Sequence, residues 1–303
     1  MQQFLKPSAV AAMLVACSLS AQADVKFDAN IETNTTYKSG RDNPSTASTF
    51  DNGGRIEINA NAELLRQGEY FVNARGSLLL GLNADTGIDD AWIQFGNSTW
   101  DFKLGRFEAV DLFPLGKDTV VESVAAGTYR ANVLRGRFKD DQFHGAVGLN
   151  ASPNLRFELG LISYKGEKTG IVEQGVRPVA VYTNGALTLR AGIEHFDRGA
   201  GNQSGFGLSA GYAVSKDSYI NASYAKSSDV DASSFGLNAT FGAAGVGLIH
   251  DDTPNGKSNT YYAAYSFPLF GVKGATITPA ISHSTHTGQD GLTAVRVRLN
   301  YAF

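Results

Sequence analysis

The chain has 303 residues, 43% of them hydrophobic, and a formal net charge of −3. It carries no basic stripe and no zinc-ligand spacing, which excludes a nucleic-acid reading. Its one cysteine, Cys17, excludes a disulfide scaffold.

Taken from the N-terminus, Lys6 precedes an apolar run from Val10 to Leu19, and Ala21-Gln22-Ala23 fits a small-x-small cleavage site. Residues 1–23 therefore read as a secretory signal peptide, and 24–303 as the mature domain. Leu14-Val15-Ala16-Cys17 offers a second reading, a lipoprotein box with Cys17 as the lipidated end. Beyond Ala23 no apolar run approaches the ~18–20 residues of a membrane helix.

Instead, apolar and polar residues alternate. Val25, Phe27, Ala29 and Ile31 oppose Lys26, Asp28, Asn30 and Glu32. Ile56, Ile58, Ala60 and Ala62 oppose Arg55, Glu57, Asn59 and Asn61. A tight turn at Gln67-Gly68 leads to Tyr70, Val72, Ala74 and Gly76, with Asn73 and Arg75 on the other face. Later segments repeat the period of two, which places successive side chains on opposite faces of a strand. Short connections at 96–98, 184–185, 215–217 and 242–245 alternate with more polar ones at 39–54, 165–175, 197–204, 226–233, 251–258 and 284–291. About 17 strand-like segments can be marked, with 127–165 the ambiguous stretch. A strand of about ten residues plus its connection gives 16 strands over this length, or 14. One face greasy and the other charged suits a wall between lipid and a watery lumen. A soluble sandwich or small barrel is the rival, but it would place Arg, Glu and Asn in a dry core. Scarce proline, 8 residues, suits a long hydrogen-bonded sheet.

The chain ends Val295-Arg296-Val297-Arg298-Leu299-Asn300-Tyr301-Ala302-Phe303. A terminal Phe with an aromatic two positions earlier resembles the assembly signal of Gram-negative outer-membrane β-barrels. Residues 99–137 add a second resemblance. The "LGRF" end of a strand leads to a mixed acidic and apolar connection, then to "YRANVLRGRF". This is similar to general diffusion and carbohydrate porins around their third loop. The resemblance implies an all-β transmembrane antiparallel barrel whose third outer connection folds inward and narrows the channel. Asp111, Asp118 and Glu122 would be loop-side acids. Arg106, Arg130, Arg135 and Arg137 would be wall-side bases, with 129–138 the next wall strand. Arg130 has the opposite parity to Arg135 and Arg137, so it would need a bulge or a place beyond the membrane. Apolar Leu112, Phe113, Pro114 and Leu115 would hold the loop to the wall.

Further lumen positions follow from parity: Arg75, Arg156, Glu158, Arg190, Glu194, Arg296 and Arg298. Phe71, Trp92, Tyr164 and Tyr182 are read as aromatics on polar faces, of a kind suited to girdles or to sugar rings.

The function so implied is passive diffusion of small hydrophilic solutes across the outer membrane. A substrate-selective oligosaccharide channel is the alternative, and a barrel hydrolase using His250, His283 or His286 is the distant one. No cofactor is implied. The expected partners are outer-membrane lipid, lipopolysaccharide, the barrel assembly machinery through the Phe303 strand, and solutes with sugars among them. Calcium or lipopolysaccharide could bind acidic outer loops. Both a homotrimer and a monomer are compatible, and the short connection near 83–87 removes the usual trimer latch.

Overall fold

The computed structural model describes residues 24–39, 48–117, 129–137, 142–165, 170–198 and 201–303. The signal-peptide expectation at 1–23, Cys17 included, lies outside the described residues.

The described chain forms one antiparallel sheet of 17 strand segments closed into a barrel. In order they are β1 (Asp24–Ser39), β2 (Thr49–Gln67), β3 (Tyr70–Gly81), β4 (Thr86–Gly96), β5 (Trp100–Arg106), β6 (Phe143–Ser152), β7 (Leu155–Lys165), β8 (Val172–Asn184), β9 (Leu187–Asp197), β10 (Asn202–Ser215), β11 (Ser218–Ser227), β12 (Ser233–Phe241), β13 (Ala244–Thr253), β14 (Gly256–Tyr265), β15 (Phe267–Pro268), β16 (Ala275–His286) and β17 (Gln289–Ala302). Only Ser266 separates β14 from β15, and both pair with β16, so they are two pieces of one wall. The barrel thus has 16 walls. Closure comes from β1, which pairs with β2 on one side and β17 on the other. Phe303 extends the seam, exchanging backbone hydrogen bonds with Ala29 at 2.9 and 3.0 Å. Closure leaves no sheet edge whose N–H and C=O groups would lie unpaired in lipid.

The alternation is realised inside out relative to a soluble core. Ile58, Ile93, Val147, Leu208, Leu237, Val297 and Leu299 are exposed on the outer surface. Glu32, Asn59, Asp90, Asp101 and Glu194 are buried on the inner one. Exposed Tyr70, Phe95, Trp100, Tyr182, Tyr212, Phe241, Tyr265, Phe267, Tyr301 and Phe303 lie beside the turns at the end of the barrel that carries both termini of the described domain. They form an aromatic band at that rim.

Three expectations change. The "YRANVLRGRF" stretch is not a wall: 129–137 contains no strand, and the wall resumes at Phe143. This stretch lies within the ambiguous 127–165, and its apolar residues Tyr129, Ala131 and Leu134 pack inside the barrel instead of facing lipid. The connections at 251–258 and 284–291 are mostly strand, with two-residue turns at Pro254-Asn255 and Thr287-Gly288. Tyr182 faces outward opposite Leu189, whereas Val181 opposes the inward Arg190.

Candidate functional site

The described parts of the connection from β5 to β6, residues 107–117 and 129–137, enter the lumen, and the wall is shaped to receive them. Leu112, Phe113, Tyr129 and Ala131 form one buried cluster with Val179, Ala225, Ala232, Ile249 and Tyr262. Leu134 joins Ile162, Tyr164 and Phe196. Wall strands β7, β8, β9, β11, β13 and β14 therefore carry apolar side chains on the inner face as well where the segment covers them, while β10 and β12 meet it with Gly207 and Gly236.

Inward-facing glycines leave it room. A Cβ at Gly192 would lie 2.8 Å from Leu112 Cδ1, and one at Gly207 2.8 Å from Ala131 Cβ. At Gly236 it would lie 2.7 Å from the Phe113 ring, and at Gly245 2.7 Å from Lys117 Cβ. Such separations are below any normal carbon contact, so even an alanine would push the segment away.

Polar ties complete the attachment. The Arg177 guanidinium, on β8 and fully buried, donates to Val110 O (2.8 Å), Ala131 O (3.2 Å) and Asn132 Oδ1 (3.0 Å). Its counter-charge is Glu194, 3.9 Å away. Glu194 accepts from the Tyr129 hydroxyl at 2.8 Å and from Leu134 N at 3.1 Å. Burial, and then the Glu194 charge, raise the Tyr129 phenol well above its ordinary value, so it remains a donor. Glu158 accepts from Val110 N, Asn238 donates to Pro114 O at 2.7 Å, and Tyr262 donates to Leu115 O at 3.0 Å.

Across the lumen, strands β17, β1, β2, β3 and β4 carry charge instead. Arg298 pairs with Glu32 at 3.3 Å, and Glu32 with Arg55 at 3.2 Å. Arg55 and Arg75 share Glu57, at 3.6 and 3.7 Å. Arg75 then reaches Asp90 at 3.0 Å. From there the belt crosses to the inserted segment. Arg137 pairs with Asp90 and Asp89, both at 2.8 Å. Arg135 pairs with Glu108 at 3.1 Å and Asp111 at 3.9 Å.

The expected eyelet residues thus fall in altered places. Arg130, Arg135 and Arg137 sit on the inserted segment, not on the wall, because 129–137 is not a strand. The acids facing Arg137 include wall residues, Asp89 and Asp90, so at that pair the assignment of acids to the loop and bases to the wall is reversed. Asp111 is on the segment as expected. It brackets the segment, accepting from Phe113 N at 2.8 Å and Asn132 Nδ2 at 2.7 Å. Arg106 ends β5 and donates to the backbone oxygens of Ile88 and Asp89 on β4. Arg130 lies over the Phe113 ring, 6.0 Å from its centroid. Asp118 and Glu122 lie outside the described residues.

The other parity assignments face inward. Arg75 and Arg298 belong to the belt. Arg156 pairs with Asp101 at 2.7 Å, Arg190 stands opposite Ser209, and Arg296 stands opposite Thr36. Glu158 and Glu194 anchor the segment. Trp92 shares this face, with the Lys103 ammonium 3.9 Å from its ring centroid. Glu32, Arg55 and Glu57 were read from the sequence only as polar-face residues, and Arg177, Asp89, Asp90, Glu108 and Lys103 were not singled out. A signal existed for Arg177: it is an arginine on a strand that is apolar on both faces, which marks a lumen face covered by something else.

The histidines take neutral partners in the hydrogen bonds described. His250 Nδ1 meets Asn259, and His283 Nδ1 meets Thr293. His286 meets the Ser258 hydroxyl and the Asn255 carbonyl. The geometry gives these rings partners that hold a side chain in place, with no carboxylate in the hydrogen bonds described to orient a general base.

This closed barrel is matched among solved structures. A mutant of Rh. blastica porin superposes with TM-score 0.63 over 92% of this chain and 100% of that chain, at 13% identity. The fold is that of a porin. The anion-selective porin from Comamonas acidovorans gives TM-score 0.65 over 93% of this chain and 100% of that chain, also at 13% identity. The family model described as porin-like glycoporin RafY matches residues 18–141, which span β1–β5 and most of the inserted segment. No curated protein matches the sequence. Within this porin fold, the apolar bed under the segment lies on β7–β14 and the charged belt on β17–β4, so the lumen has two chemically different sides.

Proposed function

We propose that this protein is an outer-membrane porin, a water-filled channel for passive diffusion of small hydrophilic solutes. The observation that carries the reading is the belt running from Arg298 to Arg135, with alternating charges on the wall and on the segment opposite. Fixed charges around a narrow aqueous path surrounded by low-dielectric walls produce a strong local field. Such a field favours polar solutes that replace water contacts and disfavours apolar ones. In this reading Arg135, Arg137, Asp111 and Asp90 line the narrowest part, with Asp118 and Glu122 on the same segment. The lumen arginines Arg75, Arg106, Arg130, Arg156, Arg190, Arg296 and Arg298 set the ion preference.

Export by a cleaved leader at 1–23, insertion through the Phe303 strand, and contacts with lipopolysaccharide belong to the same proposal. The β3–β4 turn, Leu82 to Asp85, is too short to latch onto a neighbour, which supports a barrel that works with or without trimer formation.

The glycoporin match favours a second reading, a channel selective for oligosaccharides. Trp92 weighs against it: Lys103 covers the ring face on which a sugar would stack.

The test is conductance of the purified protein in a planar bilayer, with a panel of sugars added. Ohmic channels unaffected by millimolar sugar are expected. Block by sugar would favour the selective reading, and no conductance at all would overturn both.

A further inference from the structure

The barrel rim that carries both termini of the described domain is closed by short turns, with one exception. Gly68-Glu69, Pro153-Asn154, Gly185-Ala186, Lys216-Asp217 and Gly242-Ala243 each join two strands with two residues. Between β15 and β16 the chain spends six: Leu269-Phe270-Gly271-Val272-Lys273-Gly274. Three of the six are large and apolar. Phe270 is 91% exposed, far more than any other large hydrophobic residue described.

Its backbone is costly as well. Val272 N donates to Leu269 O at 3.0 Å, and the two residues between have φ of +51° (Phe270) and +68° (Gly271). Positive φ at both central positions is the pattern of a type I′ turn, where Asn, Asp or Gly is the normal first residue. Holding a bulky residue there strains the backbone. A strained conformation that displays a phenyl ring to water is disfavoured twice, unless water is not what the ring meets.

Depth supplies the occupant. Ala302 N donates to Gly274 O at 3.1 Å, which fixes the base of the turn between the girdle rings Tyr301 and Phe303. Those two rings are 5.3 Å apart, and Tyr265 and Phe267, 4.4 Å apart, flank the other side. A tight reversal extends at most about two strand residues, roughly 7 Å, beyond its base. The headgroup layer outside the hydrocarbon core is roughly 5–8 Å thick on each side. The tip therefore ends within that layer. Lys273, beside the apolar tip, suits anionic headgroups at the same depth.

The geometry points to a membrane-inserting wedge: Phe270 and Val272 embed in the phospholipid headgroup layer at the terminus-bearing rim, and Lys273 meets lipid phosphate. This rests on the outer-membrane reading but concerns a different surface from the channel.

The full-length variant Phe270→Trp, reconstituted in phosphatidylethanolamine and phosphatidylglycerol vesicles, gives a fluorescence difference against the parent protein, which contains Trp92 and Trp100 in both cases. A blue-shifted signal is expected, quenched by lipids brominated near the headgroup and protected from aqueous iodide. Lys273→Glu should lose the dependence on phosphatidylglycerol. Val272→Trp reports independently if the first variant folds poorly. Iodide quenching without lipid quenching overturns the wedge, and so does a blue shift that follows self-association instead of lipid. Conductance in the same vesicles tests the channel separately, so failure of one reading is distinguishable from failure of the other.

Discussion

Arg137, on the segment inside the barrel, and Asp90, on wall strand β4, are joined by two hydrogen bonds to one carboxylate oxygen, at 2.8 and 3.1 Å. The other Asp90 oxygen holds Arg75 at 3.0 Å. One carboxylate thus links the inserted segment to the wall and balances two guanidinium groups.

Asp90→Asn should shift the channel toward anions, since two arginines would then share less negative charge. Arg135→Ala combined with Arg137→Ala should shift it toward cations. Reversal potentials across a salt gradient measure both. Potentials unchanged in both variants would place the current elsewhere in the lumen.

Arg177→Met should loosen the segment. It removes the hydrogen bonds donated to three acceptors, Val110 O, Ala131 O and Asn132 Oδ1, and strands Glu194 without its counter-charge. Breaking a buried pair from one side costs about 3–5 kcal/mol. Faster proteolysis within 107–137 and noisier single-channel current are the expected signs. Adding Glu194→Leu should recover part of the loss, because no buried charge then lacks a partner.

Gly207→Val should lift Leu112 and Ala131 off the wall, since the new side chain occupies their place. Overpacking of this kind costs about 1–3 kcal/mol. The expected readout is a changed single-channel conductance with the barrel still assembled. Gly76→Ala, where the added Cβ meets nothing within 4 Å, is the control and should leave conductance as it was.

Tyr129 gives the pH dependence. Its folded phenol lies above the ordinary value near 10, through burial and the neighbouring Glu194 charge. A raised folded value means the stabilisation is fully present below pH ~10 and is lost as pH rises toward the folded value. Protease sensitivity of the segment should stay flat up to that pH and increase beyond it. Tyr129→Phe should raise sensitivity at neutral pH by the equivalent of about 1.5–3 kcal/mol, the usual contribution of a hydrogen bond to a charged acceptor. A flat profile together with an unaffected Tyr129→Phe variant would show that the bond to Glu194 contributes nothing to attachment.

Wall strands such as β2 were legible because lipid meets one face and water the other. Ile56, Ile58 and Ala60 against Arg55, Glu57 and Asn59 leave no other assignment. The same rule misled at 129–137. There Tyr129, Ala131 and Leu134 pack against the wall at spacings of two and then three, so the apolar residues imitate a strand period only in part and the segment pairs with no neighbour. The connections at 251–258 and 284–291 misled in the other direction. Their polar residues belong to strands that extend past the apolar band, where both faces meet polar surroundings.

By itself the sequence determined the barrel and the inward direction of Arg75, Arg156 and Arg298, because side-chain parity is a local property that lipid and water select residue by residue. The tertiary structure alone decided which charges meet. Arg177 reaches Val110 across 67 residues of chain, and Arg137 reaches Asp90 across 47. Such pairs depend on how an irregular segment lies against glycines on distant strands, and no periodicity records that.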